Sequence, residues 1–173
     1  MRISKLVIIA TLLFSTAAAR PARAEVGVGF FIFEPTGLDL KVDLNQRQAL
    51  DFLLGWYSGW RDRYYLDHGG YFHATWLYQP WVGMTNTVAI PLRIGVGGAI
   101  FDDRGRFFDD RDRFFDDNDI NVAARFPFEI GFRFLGTPVE IYFEIALKLT
   151  IIDPGDDHPT ADLDGGVGVR FMF

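Results

Sequence analysis

The sequence predicts an all-β protein, an eight-stranded antiparallel up-and-down barrel, and three observations carry that prediction. Eight runs alternate apolar and polar residues with period two, and a strand sends successive side chains to opposite faces. The connections between them alternate short and long, except that the first, Glu34 to Gly37, is short where a long one is expected, as in a barrel with turns at one end and loops at the other. The polar parity is rich in glycine and in balanced charge, which suits a narrow interior better than a wetted surface.

Residues 1–24 stand apart from this pattern. Arg2 and Lys5 give a positive start, residues 6–13 an apolar core, and Ala22-Arg23-Ala24 a small-x-small cleavage site; the expectation is a signal peptide. The apolar run is too short to span a bilayer as a helix. Residues 25–173 then form one domain. The leader holds four of the 17 basic residues and none of the 23 acids, leaving 13 against 23, a net charge of −10. So acidic a chain lacks the basic footprint of a nucleic-acid binder. With no cysteine, disulfides, thiolate metal sites and cysteine nucleophiles are excluded.

The first run, residues 26–33, sets Val26, Val28, Phe30 and Ile32 against Gly27 and Gly29. Glu34-Pro35-Thr36-Gly37 is expected to turn the chain, with Pro pre-setting φ and Gly accepting positive φ. Leu38, Leu40, Val42 and Leu44 then oppose Asp39, Lys41 and Asp43, and residues 45–48 form a short turn. The third run sets Leu50, Phe52, Leu54 and Trp56 against Asp51, Leu53, Gly55 and Tyr57, before a loop over 58–70. The fourth, residues 71–78, sets Phe72, Ala74, Trp76 and Tyr78 against Tyr71, His73, Thr75 and Leu77, with 79–87 as a connection. In the fifth, Ile90, Leu92, Ile94, Val96 and Ile100 oppose Pro91, Arg93, Gly95, Gly97 and Ala99.

The sixth and seventh runs show the alternation most clearly. Phe126, Phe128, Ile130, Phe132 and Phe134 face Arg125, Pro127, Glu129, Gly131 and Arg133; after the Gly136-Thr137-Pro138 turn, Val139, Ile141, Phe143, Ile145, Leu147 and Leu149 interleave with Glu140, Tyr142, Glu144, Ala146 and Lys148. Pro91 and Pro127 cannot donate to a ladder and should weaken it locally. The last run, residues 163–173, sets Val167, Val169, Phe171 and Phe173 against Gly166, Gly168, Arg170 and Met172.

Period two alone leaves open which face points outward, and the polar parity decides it. It carries eight glycines (27, 29, 55, 95, 97, 131, 166 and 168), of use only where space is short. Its charges balance: Lys41, Arg93, Arg125, Arg133, Lys148 and Arg170 against Asp39, Asp43, Asp51, Glu129, Glu140 and Glu144, as an enclosed network requires. Aromatics gather where runs meet connections, Trp56, Trp60, Tyr64 and Tyr65 at one end and Tyr78, Trp81, Phe134 and Phe173 at the other. That is an interfacial girdle. The expected fold is therefore a transmembrane barrel, with lipid against the phenylalanine-rich face.

The closing strand, with Val167, Val169 and Phe171 in step and a terminal Phe173, resembles that of bacterial outer-membrane barrels, which implies recognition by the barrel-assembly machinery. The opening Val26-Gly-Val-Gly, the Glu34-Pro-Thr-Gly-Leu38 segment and Ala49-Leu-Asp-Phe with Gly55-Trp56 resemble a family of small exported OmpA/OmpX-like barrels of unknown function, over nearly the whole of residues 25–173. The resemblance implies a fold and an outer-membrane location, and no activity.

Three sources of chemistry remain. The interior charges read as a structural plug or as a narrow ion path, and eight strands leave just enough room for side chains to fill the lumen. Residues 101–119, from Phe101 to Asp119, repeat Phe-Asp-Asp with period seven and hold eight Asp and four Arg. They lack calcium-loop spacing, whereas the pairs Phe107-Phe108 and Phe114-Phe115 point to contact with a surface partner or with the membrane surface. The histidines are His68, His73 and His158; His68 near Ser58 and Asp67, or His158 beside Asp156 and Asp157, are generic loop groupings, and His73 with Thr75 falls on the interior parity. No residue is assigned a catalytic, cofactor-binding or metal role. The expected function is a non-enzymatic outer-membrane scaffold presenting acidic extracellular loops for surface interaction, with a narrow pore as the alternative.

Overall fold

The computed structural model describes residues 25–58, 68–101, 120–152 and 160–173. They form eight strands: β1 (Val26–Glu34), β2 (Thr36–Asn45), β3 (Gln48–Ser58), β4 (His68–Met84), β5 (Val88–Phe101), β6 (Asn121–Phe134), β7 (Val139–Ile152) and β8 (Thr160–Met172). Each pairs with the next, and β1 closes the barrel on β8 from Gly27↔Met172 to Glu34↔Gly165, all antiparallel. At the seam Val26 N–H donates to Phe173 O at 3.2 Å and Phe173 N–H to Val26 O at 2.8 Å. Closure leaves no edge strand to template aggregation. Residues 1–24, and the predicted cleavage after them, lie outside the described residues.

The two parities fall as the alternation predicts. Phe30, Phe128, Phe143 and Ile145 are exposed outward, while Asp39, Lys41, Arg93, Arg125, Glu129, Glu140 and Arg170 are buried inside. This inverts the usual soluble arrangement, in which charged residues are almost never fully buried.

Several boundaries differ from expectation, each for a local reason. β4 runs six residues beyond Tyr78, because a bulge between Tyr78 and Trp81 absorbs Pro80 and the ladder resumes as Trp81↔Leu92 to Met84↔Ala89. Proline cannot donate to the ladder, and a bulge leaves it unpaired. The β1–β2 turn sits on Phe33 to Thr36, not on 34–37: Phe33 takes a positive φ of 103°, the Glu34–Pro35 peptide is cis, and Thr36 Oγ1 accepts from Phe33 N–H at 3.2 Å while donating to Phe33 O at 2.9 Å. Gly37 is a strand residue paired with Gly55, not the turn's flexible point. Phe101 closes β5 as a buried inward side chain instead of opening a loop. β8 begins at Thr160, three residues early.

Pro91 and Pro127 do interrupt the β5–β6 ladder, which skips from Ala89↔Arg133 to Leu92↔Ile130 and from Ile94↔Phe128 to Gly97↔Arg125. Both strands persist because their other edges stay paired. Each ring packs on a glycine of the facing strand: a Cβ at Gly131 would lie 2.9 Å from Pro91 Cγ, and one at Gly95 would lie 3.0 Å from Pro127 Cγ.

Candidate functional site, the charged interior

Register explains how an eight-stranded wall encloses side chains this large. One row across the barrel reads Gly55, Gly37, Phe31, Gly168, Tyr142, Gly131, each opposite the next. Large aromatics thus lie beside glycines, and a Cβ on Gly168 would sit 2.1 Å from the Tyr142 ring. Phe31 stacks on Tyr142 at 5.7 Å between centroids. With Leu53, Tyr71, Ala99, Phe101 and Ala123 they form an apolar cluster inside the barrel.

A second row reads Asp39, Gly29, Arg170, Glu140, Arg133. Arg170 is the hub of the interior. Its Nε and Nη2 donate to Asp39, Nη2 to Asp51 Oδ1 at 2.6 Å, and Nη1 to Glu129 at 3.0 Å and Glu140 at 3.4 Å. Its guanidinium also lies 3.6 Å from the Tyr142 ring centroid. The planar fork suits this role, since it presents several fixed donors to several carboxylates at once. Arg93 grips Glu140 through two bonds, at 2.9 and 2.8 Å, and also donates to Glu129. Arg125 pairs with Glu144, and Lys148 with Asp164 at 3.0 Å while lying 4.4 Å from the Phe101 ring centroid.

His73 joins the two halves of this interior. Its Nε2 lies 3.2 Å from Asp51 Oδ2 and its Nδ1 lies 3.4 Å from the Tyr71 hydroxyl. Thr75 and Arg125 flank Gly97 in register, and Thr75 Oγ1 with Arg125 Nε and Nη1 have no hydrogen-bond partner among the described residues. Buried ion pairs do little for net stability, but removing one partner is strongly destabilising. The network is deeply buried, with Arg125, Glu129, Glu140 and Arg170 all 0% exposed.

The predicted interior set needs two corrections. Asp43 and Arg133 are partly exposed at the short-turn mouth, paired with Lys41 at 2.7 Å and with Glu25 respectively. Asp164 is buried inside although the sequence reading placed no charge there. Alternation counted back from Arg170 reaches it, but Gly165 and Gly166 obscure the parity. Asn121 and Thr150 likewise face inward, from strand ends outside the predicted runs.

Ser58 and His68 are cross-strand partners at the far end of β3 and β4, and their side chains lie outside the described set. Asp67, Asp156, Asp157, His158 and residues 102–119 also lie outside the described residues.

Fold and interior together define the class: a closed eight-stranded antiparallel barrel with charge inside and apolar side chains outside. The chain matches no protein-family model, no curated protein and no solved structure.

Proposed function

We propose that this chain is a bacterial outer-membrane protein, exported by a signal peptide over residues 1–24 and inserted as a barrel with both ends of residues 25–173 in the periplasm. The observation that carries the proposal is the apolar outer wall. Phe30 is 66% exposed, Ile145 61%, Phe128 48% and Phe143 47%, while charges such as Arg93, Glu129, Glu140 and Arg170 lie inside. Water gains nothing from such a wall, and contiguous apolar patches beyond a few hundred Å² are rare on soluble monomers. A bilayer core, by contrast, requires it. Trp81, Phe134 and Phe173, exposed at the short-turn end, fit one interfacial girdle.

The role we propose is non-enzymatic: a scaffold holding acidic loops, above all residues 101–119, at the cell surface for a binding partner. The resemblance to small OmpA/OmpX-like barrels and the Phe173-terminated closing strand, suited to the barrel-assembly machinery, support the location. The plug at Arg170 supports a scaffold over a pore. The test is fractionation of cells expressing the chain, with electrophoresis before and after heating. Recovery in the outer membrane with a heat-dependent mobility shift is expected; recovery as a soluble periplasmic protein contradicts the proposal.

A further inference from the structure

We propose that the short-turn mouth of the barrel binds a small anion bearing a carboxylate or phosphate group. A cavity of about 500 Å³ opens there, a size within the usual range of small-ligand sites. Its rim is held in place. Asn45 Oδ1 accepts from Arg47 N–H at 2.9 Å, and Gln79 N–H donates to Arg47 O at 2.8 Å. The Gln79 side chain donates to Gln46 O at 3.1 Å and accepts from Arg93 Nε at 3.3 Å, tying the turn to the charged floor.

Four cations line this cavity: Lys41, Arg47, Arg93 and Arg133. Two are engaged, Arg93 by Glu129 and Glu140 and Arg133 by Glu25. Lys41 and Arg47 are less fully engaged. Lys41 is 1% exposed, and among the described residues its ammonium meets a single carboxylate, Asp43 at 2.7 Å. An ammonium has three donors, so one carboxylate leaves Lys41 able to meet a ligand's oxygen as well. Arg47, on the exposed turn, contributes a guanidinium with no described partner. Both side chains line this cavity, so an oxyanion within it has donors from each to meet. Glu25 and Asp43 on the same wall disfavour a polyanion. The neighbouring amides of Asn45, Gln46 and Gln48 suit a hydroxylated ligand such as a sugar acid or sugar phosphate. The proposal stands on the mouth alone, whichever solvent meets the outer wall.

The test is calorimetric titration of the chain folded in detergent at low ionic strength, with glucuronate, glucose 6-phosphate, inorganic phosphate and glucose as probes. Saturable binding of the sugar anions without glucose binding is expected, weakened roughly tenfold or more by Arg47→Gln and by Lys41→Met. Binding of inorganic phosphate with the same sensitivity to both variants supports the anion site and assigns it to free phosphate. The Arg47 variant alters only an exposed turn, so it reads the site even if Lys41→Met fails to fold. Failure of all three anions to bind, or affinities unchanged in Arg47→Gln, overturns the proposal.

Discussion

Replacing Arg170 with methionine is the sharpest perturbation of the interior. The change keeps the approximate volume of the stem but removes every donor that Arg170 presents to Asp39, Asp51, Glu129 and Glu140. Glu129 and Glu140 retain Arg93, and Asp51 retains His73, whereas Asp39 has no other ion-pair partner among the described residues. Breaking a buried pair from one side costs about 3–5 kcal/mol, and the contact with the Tyr142 ring adds up to about 2 kcal/mol when desolvated. The loss should lie at or above the top of the first range, because four carboxylates are affected at once. Arg170→Lys should recover less than half of it, since a single ammonium does not reproduce the fork. Pairing Arg170→Met with Asp39→Leu should be less destabilising than the two single losses added, as contacting residues in one network are coupled. Equilibrium urea unfolding in lipid vesicles, followed by tryptophan fluorescence, measures each variant. A loss below about 1 kcal/mol for Arg170→Met, the size of an exposed ion pair, would refute the plug.

Two further perturbations separate the faces. Phe143→Arg, at an outward position on β7, should cost about 2–4 kcal/mol in a bilayer if it lies near the midplane, whereas a wetted surface site would change by within about 0.5 kcal/mol; the same unfolding assay decides. Gly168→Ala places a Cβ 2.1 Å from a buried Tyr142 ring and should cost about 1–3 kcal/mol by overpacking, relieved by Tyr142→Leu; a neutral Gly168→Ala would show that the aromatic–glycine row is loosely packed.

Much of this fold was legible because period two is a strong signal when both parities are chemically distinct. Along Phe126 to Phe134 and Val139 to Leu149, alternation alone separates the outward from the inward residues, Arg133 at the mouth excepted. The reading weakened where one residue carried several roles. The alternation of β4 stops at Tyr78, yet a bulge around Pro80 lets the strand continue. Gly37 resembled a turn residue, but it is needed because a Cβ there would lie 2.4 Å from Leu54 O. The aromatic cluster was hidden because Phe31, Tyr71 and Phe101 are apolar residues on the polar parity. A usable signal was present: once register is known, Phe31 and Tyr142 both fall beside Gly168. The charged network was visible as a composition, but not as a hub, since nothing in the sequence distinguishes Arg170 from Arg93 or Arg125. Only closure of β8 on β1 brings it to Asp39.

The account turns on what touches the outer wall. Trp76 is exposed on that wall in the middle of β4, and with Trp56, Trp60 and Trp81 replaced by phenylalanine it becomes the sole tryptophan of the four. Reconstitution into vesicles whose acyl chains carry bromine at defined depths reports its surroundings directly. Strong quenching of Trp76 by bromines within the acyl region is expected. An unquenched Trp76, in a folded chain that stays dissolved without detergent, would contradict the lipid-facing wall and the proposed location with it.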